Sequence, residues 1–243
     1  RFEEEHPNID VKAQYFPWQE LVRKLNIAMA SESAPNVIYV DAPLIPSYVE
    51  AGALMPLDKY YTQEEINEFV DAAIDDATVD GHFYGPPEAE SALALFYNKE
   101  MLREVGVDPA TVPQDLDKAW TWDKWIPILK KLTRDTNGDG RTDVYGLAQV
   151  RPPGTYDDLP IIRSMGEKGS PTFEAISPDG LSVDGYLNTD KAIEGFKFFR
   201  QLFQDWEVAP TTPVPEMFAT ERAATIIGTE AVLDNIKSDY PDM

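Results

Sequence analysis

Cysteine is missing from all 243 residues, so neither a disulfide framework nor thiolate chemistry is open to this chain. Export is not excluded by that. Histidine is almost as scarce: only His6 and His82 occur, one beside the start of the chain and one in a turn-rich stretch. A Ser-His-Asp arrangement therefore has little to draw on, and no Cys/His zinc set can be assembled. No Gly-rich phosphate loop is present either. Positive charge is also short. Lys and Arg number 21 against 43 Asp and Glu, a formal net charge of −22. Such a field repels a phosphate backbone and an anionic membrane surface, so nucleic acid is not an expected partner. No apolar run approaches the ~20 residues of a membrane span. What remains is ample for a core: 43% of residues are hydrophobic, enough to exclude global disorder, over a length that suits one large domain or two modest ones.

Strand-like and helix-like stretches alternate along the chain, which predicts an α/β sheet with crossover connections. Arg1 to Pro7 reads as the tail of an amphipathic helix. Both ends of the chain are accordingly expected to be truncations, and the lack of an export signal carries no weight. Asn8 to Tyr15 alternates apolar and polar residues and predicts a half-covered strand. A helix is predicted over Gln19 to Ala30, a strand over Val37 to Val40, and a helical turn over Ile45 to Ala51 closed by Gly52. Acidic helical segments follow between Thr62 and Asp76. Asp80-Gly81 is a two-residue hairpin turn between Thr78-Val79 and His82 to Tyr84. Pro86-Pro87 breaks regular structure, and Ser91 to Tyr97 then reads as a buried strand.

Asn98 is placed to cap a short helix, and Val107 to Lys118 is loop-like. Thr121 is placed to cap a helix from Trp122 to Thr133, with Trp125, Ile126, Leu129 and Leu132 inward and Pro127 forcing a kink or a late start. Val144 to Val150 predicts a strand, Leu159 to Met165 a helix, and Gly166 to Asp184 a loop and hairpin. Thr189 should cap the helix Asp190 to Trp206, whose spacing predicts a buried stripe of Ile193, Phe196, Phe199, Phe203 and Trp206.

These pieces occur in an order that resembles a known family. An F-x-x-x-x-P-x-I-x-V opening (Phe2 to Val11) is followed by Ala30-Ser31, Pro35-Asn36 (where Pro-Asp is usual) and a Gly-x-Leu-x-Pro-Leu-Asp turn in Gly52 to Asp58. A Thr-x-Asp-Gly-x-x-Tyr-Gly hairpin lies in Thr78 to Pro86, and Thr-Trp-Asp stands at Thr121 to Asp123. Phe218 to Gly228 is similar to a Phe-x-x-Gly-Lys-Ala-Ala-Met segment, with Glu221, Arg222 and Thr225 in place of Gly, Lys and Met. The order and spacing resemble the extracellular solute-binding proteins of ABC importers, the sugar-binding group that includes maltose-binding protein.

The resemblance implies an α/β, two-lobed periplasmic-binding-protein fold of type II-like form, incomplete here. Residues 1–90 would be the first lobe, lacking its first strand. Residues 91–243 would be part of the second, and the chain would cross between them near 88–91. It further implies a monomer outside the cytoplasm, periplasmic or extracellular and in some members lipid-anchored. Such a receptor delivers a small ligand, a sugar or polyol, to a membrane permease. The carboxylates and net charge also leave room for a cationic ligand.

Sugar recognition needs aromatic faces and planar acceptors. Candidates by loop position are Trp18, Asp41, Glu88, Glu90, Ser91, Tyr156 and Glu230. Asp41 would follow a strand where an α/β sheet opens. By the resemblance, Tyr156 stands where the family often carries a cleft aromatic, and Glu230 replaces a common sugar-stacking Trp. The alternatives are a helix-start packing residue for Trp18 and a solvated hinge for Glu88 and Glu90. Those two carboxylates, two apart on an extended segment, would sit ~7 Å from each other, which also admits a glycoside hydrolase. Asp135 to Asp143 resembles a calcium loop, with oxygen side chains at Asp135, Asn137, Asp139 and Asp143 and Gly at its sixth position. The twelfth position, Gly146, lacks the usual Glu. The alternatives are a polar turn held by its own side-chain to backbone bonds, or a calcium-dependent structural module.

Overall fold

The computed structural model describes residues 1–31, 33–89, 91–150, 158–178 and 180–241, with all their side chains except those of Trp18, Gln19 and Leu116. It divides into two compact units, Arg1–Glu90 and Ser91–Met243.

The first unit is mostly short helices: α1 (Phe2–Glu5), α2 (Trp18–Ala30), α3 (Ile45–Glu50), α4 (Gln63–Ile66) and α5 (Asp71–Asp76). Local chemistry explains most of them. At α4 the Glu65 N–H donates to Thr62 Oγ1 at 3.2 Å while the Thr62 N–H donates to Glu65 Oε2 at 2.7 Å, a reciprocal cap that satisfies two end groups of a helix only one turn long. Strands β1 (Thr78–Val79) and β2 (His82–Phe83) form an antiparallel hairpin. Asp80 (φ 51°) and Gly81 (φ 78°) supply the two left-handed residues that such a turn requires.

The hairpin seats Phe83, 3% exposed, among Ile66, Ala77, Leu57, Tyr61, Phe69 and Ile74. Asp58 locks it there, accepting from the Phe83 N–H at 3.1 Å and facing His82 Nδ1 at 3.1 Å. The Phe83 N–H holds the Asp58 carboxyl below its ordinary range, helped by His82. Elsewhere in this unit, the Tyr48 hydroxyl donates to Asn26 Oδ1 at 3.0 Å and ties α3 to α2.

Two predicted strands do not form. Residues 8–15 and 37–40 form no strand, and Tyr15 (91%) and Val37 (86%) stand in solvent. Alternation marks which face of a strand would be covered, but a strand exists only when a neighbour completes its ladder. Among the described residues no strand pairs with either segment, and the Val11 N–H donates to a Glu3 carboxylate oxygen at 2.7 Å instead.

The second unit is built on a three-stranded sheet. β3 (Ala94–Tyr97), β4 (Tyr145–Leu147) and β5 (Ala223–Gly228) lie in the order β3-β5-β4, with β3 antiparallel and β4 parallel to the central β5. The helices here are α6 (Lys99–Glu104), α7 (Trp122–Leu132), α8 (Leu159–Arg163), α9 (Pro171–Glu174), α10 (Asp190–Gln204) and α11 (Ala231–Asp239). Asn98 caps α6, accepting from the Glu100 and Met101 N–H groups. Thr189 caps α10 through the Ala192 N–H at 3.0 Å. Thr121, by contrast, makes no side-chain cap, and α7 starts at Trp122 and runs through Pro127 rather than beginning late.

Apolar clusters cover both faces of the sheet. Leu95 and Tyr97 of β3 pack on one with Leu102, Leu129, Leu132 and Leu202, and Phe96 packs on the other with Met217 and Phe218. β3, expected to be buried, is the sheet edge, with Ala94 exposed and Leu95 to Tyr97 half-buried. β4 is shorter than predicted, and residues 166–178 and 180–184 hold the short α9 and turns in place of a hairpin.

Close approach governs two helix positions. A Cβ at Gly146 of β4 would fall 2.8 Å from the Leu129 Cα, so α7 can lie on β4 only over a glycine. A Cβ at Gly195 would fall 2.8 Å from the Ile162 Cα, so α10 and α8 meet backbone to backbone. That contact rotates α10 from the predicted stripe. Ala192 and Gly195 are buried under α8, while Ile193 (43%) and Phe196 (46%) face outward. Phe199, Phe203 and Trp206 do pack on the core, joined by Phe198 between Trp122 and Trp206.

Candidate functional site at the open end of the second sheet

The register brings distant segments to one edge of the sheet. Because β4 and β5 are parallel, both end on the same side. β3 runs against β5, with Ala94 opposite Gly228, and therefore begins on that side. Ser91 lies just before β3, Gln149 and Val150 just after β4, and Thr229 and Glu230 just after β5. The carboxyl ends of parallel strands are where open α/β sheets leave room for ligands. Ser91 and Glu230, far apart in the chain, are thus gathered at one end.

Local packing fixes their surroundings. A Cβ on Gly228 would fall 2.6 Å from Val232 Cγ2, so α11 turns tightly back over the end of β5. Glu230 occupies the start of that helix, its carbonyl accepting from the Leu233 N–H at 2.9 Å and its side chain leaving the cap unmade. Glu230 and Ser91 are both exposed. A carboxylate at a helix N-terminus is favoured by the helix dipole, which suits Glu230 as a hydrogen-bond acceptor.

Sequence reasoning missed Gln149. It is 6% exposed, and its backbone is held on both sides: its N–H faces Met217 Sδ at 3.4 Å, and its carbonyl accepts from the Val214 N–H at 2.8 Å. The signal was a polar residue interrupting the apolar run after Tyr145.

The other candidates are placed differently. Asp41 is half-buried in the first unit and starts a 3-10 turn, Ala42–Leu44, its carbonyl accepting from the Leu44 N–H at 2.9 Å. The residues before it do not form the strand expected of them. Glu88 is exposed after Pro87. The Trp18 side chain, Glu90 and Tyr156 lie outside the described residues, and so does one member of the Glu88–Glu90 pair.

The Asp135–Asp143 loop turns its oxygens inward. Asp135 accepts from the N–H groups of Asn137 (3.1 Å) and Gly138 (2.6 Å) through Oδ1, and of Gly140 (2.7 Å) through Oδ2. Asn137 Oδ1 accepts from the Asp139 N–H at 2.8 Å, and Asp139 Oδ1 from the Arg141 N–H at 2.9 Å. Asp143 Oδ2 takes both the N–H and the hydroxyl of Thr136, at 2.9 and 2.8 Å. The Gly140 and Gly138 N–H groups hold the Asp135 carboxyl below its ordinary range, and the Thr136 N–H does the same for Asp143.

Among the described residues, no three His, Cys, Asp or Glu side chains form a group able to hold a metal. The twelfth position is closed to a ligand as well, since Gly146 is buried in β4 beneath Leu129. The geometry is that of a turn stitched by its own carboxylates.

Comparison with known proteins agrees over nearly the whole chain. A family profile described as bacterial extracellular solute-binding protein matches residues 1–240. The arabinooligosaccharide-binding protein of Halalkalibacterium halodurans is 27% identical over 222 residues, covering 90% of this chain and 44% of that protein. Two solved structures share the fold. An ABC substrate-binding protein from Listeria monocytogenes, in complex with cycloalternan, superposes with a TM-score of 0.78 at 23% identity over 99% of this chain and 58% of that one. A solute-binding protein of an ABC transporter from Thermotoga lettingae, bound with α-D-tagatose, gives a TM-score of 0.80 at 22% identity over 99% and 59%. The chain spans about half the length of the curated relatives it matches.

Proposed function

Since this chain belongs to the bacterial extracellular solute-binding protein family, we propose that it forms part of the ligand receptor of an ABC importer. In this reading the receptor captures a carbohydrate, an oligosaccharide above all, and hands it to a membrane permease. It works outside the cytoplasm, in the periplasm or held at the cell surface by a lipid anchor. The observation that carries the proposal is the convergence of Ser91, Gln149 and Glu230 at the open end of the second sheet, where strand ends leave room for a ligand. The arabinooligosaccharide-binding relative supports the ligand class. Glu88, Glu90, Asp41, Trp18 and Tyr156 are the further groups we assign to ligand contact, Trp18 and Tyr156 as ring-stacking faces.

No cofactor enters this reading. The Asp135–Asp143 loop holds its shape by its own N–H bonds, so calcium or a chelator should leave the melting temperature unchanged; a clear shift would bring the metal back. No turnover is assigned either. The decisive experiment is a thermal-shift screen of the natural protein against arabino-, galacto- and malto-oligosaccharides, polyols and polyamines. A ligand that binds only the folded form raises the melting point by mass action. A rise with an oligosaccharide that is recovered chemically intact supports a receptor, whereas steady release of shorter sugars would make the protein a hydrolase.

A further inference from the structure

The chain contains eight asparagines, and only one of them, Asn137, precedes glycine. The residues after the others are Ile9, Ile27, Val37, Glu68, Lys99, Thr189 and Ile236. Asparagine is thermolabile because the following backbone nitrogen can attack its side-chain carbonyl. A side chain on the following residue crowds that approach, and glycine has none. In the reaction, a bond forms between the Gly138 nitrogen and Asn137 Cγ. The bond from Cγ to Nδ2 breaks, and Nδ2 leaves as ammonia with the proton that the Gly138 nitrogen gives up. Water then opens the five-membered imide at either carbonyl, leaving aspartate or isoaspartate at position 137.

The structure engages each participant in a hydrogen bond of its own. The attacking Gly138 N–H is committed to Asp135 Oδ1 at 2.6 Å, and Asp135 Oδ2 holds the Gly140 N–H at 2.7 Å, so one carboxylate fixes the backbone on both sides of Asp139. The Asn137 side chain is pinned at both ends, Oδ1 by the Asp139 N–H at 2.8 Å and Nδ2 against Asp143 Oδ1 at 3.3 Å. Asn137 itself is exposed, so water is at hand. We propose that Asn137–Gly138 is a self-modification site held dormant by the Asp135 carboxylate, which must release the Gly138 N–H before the imide can close. Conversion would replace a donor to Asp143 with a second carboxylate facing it, and attraction would become repulsion. The loop leads directly into β4, so the damage would reach the sheet.

The test follows conversion at residue 137 by peptide mapping and mass spectrometry in mildly alkaline buffer. Folded wild type, wild type in urea, and Asp135→Asn, Asp135→Ala and Asp143→Asn variants are compared. Folded wild type should convert more slowly than the urea-unfolded chain by roughly tenfold to a hundredfold, the factor expected from one hydrogen bond to a charged group. The Asp135 variants should close most of that gap. Asp143→Asn, which leaves the Gly138 bond in place, should close much less. Equal rates folded and unfolded would overturn the proposal. So would Asp135 variants that leave the rate unchanged or slow it, since the carboxylate would then be idle or acting as a base. An Asp143 variant as fast as the Asp135 variants would assign the effect to general loosening and overturn it too. Should the Asp135 variants fail to fold by circular dichroism, amide exchange at Gly138 in wild type decides: protection supports the restraint, and exchange at the unfolded-chain rate refutes it.

Discussion

Residues 91–243 and residues 1–90 are stabilised in different ways. Among the described residues, every large side chain less than 2% exposed lies in the second unit, Leu102, Leu129, Leu132, Ile161, Leu202 and Met217 among them. There a central strand is paired on both sides, α7 lies on its neighbour β4 over Gly146, and α10 meets α8 at Gly195. The first unit has, among the described residues, one two-stranded hairpin, a small cluster around Phe83, and exposed Tyr15, Val37 and Tyr39 outside any helix or strand. The difference shows that an apolar residue stabilises a fold only where a neighbour removes it from water. Val37 and Leu129 look alike in a hydrophobic count. Only Leu129 has the neighbours.

The sharpest way to break this comparison is a pair of truncations. Leu129→Ala should destabilise the second unit by about 2–5 kcal/mol, the range for emptying a closed core position. Val37→Ala should stay within about 0.5 kcal/mol, as surface changes do. Urea unfolding of both variants checks it, and similar effects would mean that the two regions are not distinct. A smaller effect is expected at Glu221, which holds a left-handed φ of 57° immediately before β5. Glu221→Gly should raise stability by about 1 kcal/mol, because a side chain is disfavoured in that conformation; an unchanged or lower melting temperature would show that the Glu side chain compensates.

The smallest expected effect is on the acid side, and it concerns the first unit. The folded pKa of Asp58 is depressed, chiefly by the Phe83 N–H. Its contribution is therefore fully present above the unfolded-state value and is lost as pH falls through the depressed folded one. Melting temperature followed from neutral into acid should fall less steeply for Asp58→Asn than for wild type. Parallel curves would remove Asp58 from the hairpin's support.

How far the site could be read from the chain varied with the residue. Ser91 was read as the first residue of a strand that in the structure begins at Ala94, and Glu230 was placed by resemblance alone, the strand Ala223–Gly228 before it not having been read from the sequence. Gln149 was overlooked, because an amide inside an apolar run looks like an interruption until its burial is known. Asp41 was assigned to the end of a strand because Val37 to Val40 is a short apolar run, and that strand is not formed.

What the sequence determined by itself was local. The Thr62, Asn98 and Thr189 caps, the Asp80-Gly81 turn and the inward face of α7 are written within a few residues of one another, and short-range hydrogen bonds and steric limits decide them. Tertiary structure alone decided the rest. Among the described residues it gave 8–15 and 37–40 no strand partner, and it turned α10 so that Ala192 and Gly195, not Ile193 and Phe196, meet α8. It also spent the carboxylates of Asp135 and Asp143 on nearby N–H groups. In the first two cases the deciding groups lie far along the chain, and no periodicity records how closely another backbone will approach. In the third, an oxygen that can bind a cation can equally accept a hydrogen bond, and the folded turn has these oxygens accepting from nearby N–H groups.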